Sequence, residues 1–274
     1  MGHEAVHRVR SAVTSWVRRT LVAPVEARLA RVVRREVDRA VQAVLDAERR
    51  SRRDIVAAGE RDAALSSARF AERVMPGGRW FPDPHLTLVH ALENAPKGGM
   101  ALEFGVWTGR SLRVIAEHRQ GRAVFGFDSF QGLPEHYRWD VGEGTFALPE
   151  PPVVDGAELV VGWFDETLPA FLDSHPGPVD FVHVDSDLYS SAVTILEHVG
   201  PRLVPGAVLM FDEFFNYAGW ERHEYRAWQE YLDRTGTRAE YLAYTSDHEQ
   251  VVVRIVEPGT VPTIEPGEAR LGLP

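Results

Sequence analysis

Residues 102–112 read LEFGVWTGRSL, and this stretch decides the fold. A short apolar run ends at Gly105 and Gly109, then passes directly into a helical pattern that begins near Ser111. Glycine lets a backbone pass close to a ligand, and a helix N-terminus offers free N–H groups. The spacing is E-x-G-x-x-x-G, so the third glycine of a dinucleotide fingerprint is missing. Glu103, just before the turn, is poorly placed against a pyrophosphate and suits a ligand with a cationic group. The next apolar run ends FGFDSFQGLP, with Asp128 standing 23 residues after Gly105. An acid at that strand tip commonly grips a ribose diol; the alternative is a turn cap.

Outward from these two turns, strand-like runs recur at 100–106, 123–128, 158–163, 179–185, 207–212, 240–245 and 250–256. Helical patterns lie between or after them at 111–118, 167–174, 190–199 and 221–234. Strands alternating with helices predict a mostly parallel sheet. Only SDHE joins the last two strands, too short for a crossover, so they form an antiparallel hairpin. The expectation is an α/β, Rossmann-like sheet of seven strands that ends in that hairpin.

In front of the sheet, residues 4–74 read as helical nearly throughout. Val32, Val33, Val37, Val41, Val44 and Leu45 recur at three-to-four spacing among Arg, Asp and Glu. Pro24 marks a kink or the first turn of a helix. Such a stripe suits a coiled-coil partner, a homodimer arm or a cover on the main domain. MPGGRWFPDP (75–84), dense in Gly and Pro, reads as the boundary. The expected domains are a helical arm over 1–75 and the sheet domain over 76–274.

The 274-residue chain has no cysteine, hence no disulfide framework and no thiolate metal site. Its net charge of −10 is uneven: residues 1–62 carry 14 Arg and 9 acids, leaving about −15 on the remainder. An acidic body argues against a nucleic-acid partner. The Arg-rich front reads as a solvated face paired with its own acids. No apolar run reaches membrane-spanning length, and the N-terminus lacks the pattern of a secretory signal, so a cytoplasmic protein is expected.

LEFGVWTGRSL, FGFDSFQGLP, GWFDETLP, HVDSDLYSS and PRLVPGAVLMFDE, taken in order, resemble a class I S-adenosylmethionine-dependent methyltransferase. More narrowly, they are similar to the macrocin O-methyltransferase family of sugar-tailoring enzymes, over about 101–230. The resemblance implies S-adenosylmethionine as cofactor and a hydroxylated small molecule, a sugar or natural product, as acceptor. It implies that Glu103, Gly105 and Gly109 line the methionine end and that Asp128 binds the ribose hydroxyls. Ser129 and Phe130 would pack beside the adenine, with Trp163 and Phe164 as walls. Asp165 equally suits an N-cap.

FVHVDSDLYSS (181–191) ends a strand on Asp185, and MFDEF ends the next on Asp212 and Glu213. Adjacent parallel strands bring their tips to one edge, so three carboxylates converge where a methyl acceptor could sit. Like charges that close are costly, and a hard divalent ion such as Mg2+ relieves the conflict with oxygen ligands. Metal-dependent members of the resembled family use acids at these positions, where the metal holds two sugar hydroxyls. The family pattern has a paired Asp-Asp; this chain has Asp212–Glu213, whose longer arm shifts the ligand geometry. Asp187 reads as the cap of the helix at Ser190. Asp185 is the expected base, His223 its rival, and His183 a supporting residue inside the strand. Phe215, Tyr217 and Trp220 are candidates for the acceptor pocket, whereas Tyr225 and Trp228 read as one buried helix face. Two other readings compete: a nicotinamide oxidoreductase on a similar sheet, and an inactive interaction protein working through its arm.

Overall fold

The computed structural model describes residues 18–260 together with Arg10, Ser15 and Trp16. The rest of the helical start expected from residue 4 lies outside the described residues. The chain divides into two compact units between Ala58 and Gly59. In the first, helix α1 (Ala23–Ser51) carries Pro24 in its opening turn, where an absent N–H would have had no intrahelical partner. It contains no glycine, and Arg49 and Arg50 sit in the last turn, where the helix dipole favours cations. Its apolar stripe faces solvent: Leu29, Val32, Val33, Val37, Val41 and Val44 are 49–68% exposed. Asp54 caps the following helix α2 (Ile55–Val74), its Oδ1 accepting the N–H groups of Val56 and Ala57 at 3.0 and 3.2 Å.

From Gly59 onward α2 belongs to the second unit. Ala63, Ser67 and Phe70, four and three apart, are buried. The Phe70 ring meets those of Phe214, Trp220, Tyr225 and Tyr241 at centroid distances of 5.5–6.0 Å. Phe70 is thus a core residue of the second unit.

The seven expected strands are present, with one more at the edge. In chain order they are β1 (Arg79–Phe81), β2 (Met100–Phe104), β3 (Val124–Asp128), β4 (Glu158–Val161), β5 (Val179–Val184), β6 (Leu203–Phe211), β7 (Arg238–Thr245) and β8 (Val251–Glu257). Their spatial order is β1-β7-β8-β6-β5-β2-β3-β4. Strand β8 lies antiparallel between β6 and β7, and every other pairing is parallel. Strand β1 arises inside the segment expected to be a linker. A helix there was not expected either: α3 (Pro84–Asn94) follows Asp83, whose side chain accepts the Leu86 N–H at 2.9 Å. Asp at the cap with Pro behind it is a strong start signal.

The remaining helices are α4 (Arg110–Arg119), α5 (Phe164–Ser174), α6 (Tyr189–Val199) and α7 (Glu224–Thr235). Side-chain alternation along the strands splits the core between the two faces. Leu102, Phe104, Val182, Val184, Leu209 and Phe211 pack with residues of α2, α5, α6 and α7. Ala101, Phe181, Val208 and Met210 pack with those of α3 and α4.

At the amino edge of the sheet, Arg119 and Asp180 form an ion pair, both side chains at most 2% exposed. Arg119 also donates to the carbonyls of Pro96 and Gly99 at 2.5 and 2.6 Å, and Asp180 accepts the Gly99 N–H. Removing one partner of a buried pair strands the other charge, at about 3–5 kcal/mol. Arg119→Ala is therefore expected to lower the urea midpoint by that amount of stability with an unchanged slope; a loss below about 1 kcal/mol would show that the pair contributes no more than a surface bridge.

Candidate active site

The carboxyl ends of the parallel strands open onto one cavity of about 470 Å3, within the range of small-molecule sites. Gly105 forms part of its floor. A Cβ at Gly105 would stand 1.7 Å from the Asp185 carbonyl oxygen, so only glycine lets the β2 and β5 tips meet. Asp128 lines the wall and also ties the turns together. Its Oδ2 accepts the N–H groups of Val106 (2.9 Å) and Trp107 (2.8 Å), and its Oδ1 that of Phe130 (2.7 Å). Trp107 and Phe130 hold left-handed backbone angles, φ 43° and 56°, which these bonds compensate. A carboxylate offers about four acceptor positions, so turn cap and diol grip are compatible at Asp128.

Ser129, Trp163 and Phe164 also line the cavity, and Phe164 stands edge-on to Phe104 at 5.3 Å. Trp163 occupies the N-cap position of α5, and Asp165 lies in the first turn beyond it instead of capping. Three expected cofactor residues are not on the wall. Glu103 is fully buried, its Oε1 2.9 Å from His183 Nδ1. Gly109 (φ 72°) starts α4 with Val154 against it, and Phe130 is buried in the core on the α3/α4 face. Sequence reasoning missed Trp107 and Phe146, whose rings meet edge-on at 5.7 Å on the cavity wall.

Asp185, Asp187 and Glu213 face the same cavity. His183, Asp185 and Asp212 offer ligand atoms within 4.8 Å of one another, the spacing of a metal site. The Glu213 carboxylate lies outside that group, and His183 takes the third position. A divalent ion fits the region: Glu213 Oε2 and Ser186 Oγ are buried without a hydrogen-bond partner. Burial, then the Asp212 charge, hold the Asp185 pKa well above the usual carboxylate range. Burial and the neighbouring acids do the same to Glu213. Burial opposes a charged His183, but hydrogen bonds with Asp212 and Glu103 raise its pKa well above the ordinary value.

Asp187 does not cap α6; Leu188 occupies that position and no side chain caps it. With φ at 61°, Asp187 instead presents its carboxylate to the cavity. Burial pushes its pKa up to about 7, with Arg138 opposing and Asp212 adding to the rise. His223 is not on the cavity wall. Its ring stands edge-on to Tyr137 at 4.8 Å, and burial, with Arg222 and Arg138, lowers its pKa. Phe215, Tyr217 and Trp220 are core residues, 2–4% exposed, and Trp220 Nε1 donates to Ser66 Oγ at 3.0 Å. Trp228 is buried as expected, with Tyr225 packed partly against the core.

Residues 102–214 match the family model described as a methyltransferase domain. The match takes in 113 of the 274 residues, and over them the chain is similar to methyltransferase domains. The chain is 30% identical over 141 residues to the 8-demethyl-8-(2,3-dimethoxy-alpha-L-rhamnosyl)-tetracenomycin-C 4'-O-methyltransferase of Streptomyces olivaceus. That match covers 42% of this chain and 53% of the relative, so the chain spans about half of that enzyme's length. It is 25% identical over 206 residues to the mycinamicin III 3''-O-methyltransferase of Micromonospora griseorubida, covering 59% and 78% of the two chains. The crystal structure of CalS11, a calicheamicin methyltransferase, shares the fold with a TM-score of 0.50 at 24% identity, covering 62% of this chain and 76% of that one.

The Asp187 shift has a defined sign. Its pKa rises from 3.8 to about 7 on folding, so the native state binds the extra proton and stability falls as pH rises through that window. In EDTA, Asp187→Asn is expected to melt higher than the parent protein at about pH 8 and level with it at about pH 4. Differential scanning fluorimetry reads this; equal melting temperatures at both pH values would remove the strain assigned to this acid.

Proposed function

We propose that this protein moves a methyl group from S-adenosylmethionine to a hydroxyl of a sugar or related natural product, assisted by a divalent cation such as Mg2+. The names of the two relatives support the acceptor class. One observation carries the reading: Asp128, at the tip of β3, and the acids Asp185, Asp187 and Glu213 open onto the same cavity. Gly105, Asp128, Ser129, Trp163 and Phe164 would hold the cofactor, while Asp185 and Asp212 would hold the metal, with His183 supporting Asp212.

Bound S-adenosylmethionine supplies a sulfonium methyl; the new O–C bond forms as the S–C bond breaks, and that electron pair stays on sulfur. A divalent ion held by these acids would offset their repulsion and would favour loss of the proton from a bound hydroxyl. Asp185, part-exposed at the β5 tip, would accept that proton. Trp107 and Phe146 shield one side of the cavity from water, which keeps the reacting groups aligned in a drier site.

Calorimetric titration of S-adenosylmethionine into EDTA-stripped protein, repeated with Mg2+ and with Asp212→Ala, tests the reading. Cofactor binding is expected in every case, with a separate Mg2+ binding event that Asp212→Ala removes. No cofactor binding in any state overturns the assignment.

The exposed Ala- and Val-rich stripe of α1 supports pairing with the same helix of a second copy, since small side chains allow close helix approach. Light scattering of the full chain is expected to give a dimer, and Val33→Glu with Val44→Glu a monomer of unchanged cofactor affinity. A monomeric parent chain overturns this part.

A further inference from the structure

We propose that Glu103 is a positioning residue that acts through His183 on Asp212, and not a part of the cofactor's binding surface. Glu103, His183 and Met210 are Cα partners across β2, β5 and β6. Strand alternation places Glu103 and His183 on the sheet face covered by α3 and α4, with Asp212 two residues beyond Met210. The chain of contacts is continuous. Glu103 Oε1 lies 2.9 Å from His183 Nδ1, and His183 Nε2 lies 3.4 Å from Asp212 Oδ1. Gln250 Nε2 donates to the other Asp212 oxygen at 3.0 Å. Both oxygens of Asp212 are therefore held, one by Gln250 and one by a ring whose orientation Glu103 fixes. Glu103 itself is 0% exposed, absent from the cavity wall, and its second oxygen has no hydrogen-bond partner. Burial disfavours its charge, and hydrogen bonds with His183 first and Ser111 second oppose that. A histidine that touches a metal-binding carboxylate on one side and a second carboxylate on the other has a fixed ring and tautomer.

The inference rests on the reading of Asp185 and Asp212 as metal-holding acids, and the test separates the two. The variants are Glu103→Gln, which keeps the side-chain shape, His183→Asn, their double variant, and Asp212→Ala. The probes are S-adenosylmethionine by calorimetry, Mn2+ by electron paramagnetic resonance, and the ring 15N signals of His183. Glu103→Gln is expected to leave cofactor affinity within about twofold and to weaken Mn2+ binding roughly tenfold or more, adding nothing in the His183→Asn background. It is also expected to move the His183 Nε2 signal in the direction that Asp212→Ala moves it. A tenfold loss of cofactor affinity with Mn2+ binding intact overturns the proposal, as does additivity in the double variant or an unmoved Nε2 signal. In the parent protein, an Nδ1 without a bound proton overturns it with no variant needed. Mn2+ binding that ignores Asp212→Ala refutes the metal reading instead, and the ring signals then still decide the role of Glu103.

Discussion

Like-charge repulsion at the carboxyl edge is the constraint around which the sheet unit is arranged. Burial, and then the charges of neighbouring acids including Asp212, raise the pKa values of Asp185, Asp187, Glu213 and Glu224 there, with Glu103 behind them. Two unit charges 4 Å apart repel by about 4 kcal/mol at the effective dielectric of a protein surface. Against this stand two cationic side chains, His183 within the sheet and Arg138 from the segment between β3 and β4. Backbone donors do the rest. Glu224, buried at the start of α7, accepts the N–H of Glu213 at 3.1 Å and that of Ser186 at 3.4 Å. Those two residues directly follow Asp212 and Asp185, so one carboxylate ties together the turns that carry the site.

The cofactor side is bound to the same constraint through backbone contact. The close passage of Gly105 against the Asp185 carbonyl means that the turn after β2 and the turn after β5 share one shape. Asp128 extends the link outward, since its carboxylate receives the N–H groups of Val106 and Trp107 from the β2 turn and of Phe130 from its own. A shift at any of the three turns is passed to the others by contacts with little slack. Methyl transfer requires such rigidity, because in-line alignment is most of what the protein contributes.

Much of this architecture was legible in the sequence, and the exceptions share a cause. Strand periodicity, the E-x-G-x-x-x-G turn and the spacing to Asp128 are local signals, and they led to the correct sheet and cavity edge. Glu103 was placed at the cofactor because it adjoins Gly105; in a sheet covered on both faces, alternation does not reveal which side chains are wet. Phe215, Tyr217 and Trp220 read as a binding surface because aromatics cluster there. Trp220 packs on Phe70 from α2, Phe215 on Tyr244 and Tyr217 on Tyr137, and such long-range contacts leave no local trace. Asp187 was assigned to capping on spacing alone, whereas its left-handed backbone sends it to the cavity. Helix α3 was the opposite case: Asp83–Pro84 marks its start locally, inside a stretch whose Gly and Pro content suggested only a linker.

Arg138 explains how the acceptor side can vary while the acids stay in place. Its guanidinium lies over the Tyr217 ring at 3.9 Å and the Tyr137 ring at 4.5 Å, and it pairs with Glu249 in the turn between β7 and β8. The Glu249 carbonyl accepts the N–H groups of Phe214 and Phe215, and the next residue, Gln250, holds Asp212. The segment between β3 and β4 is thus anchored at one cation, on a turn that also fixes the acid cluster. Residues beside that anchor, such as Trp139 at 70% exposure, are free of the core. Substitution there leaves the Arg138–Glu249 pair, and with it the turn that holds Asp212, undisturbed and costs little stability.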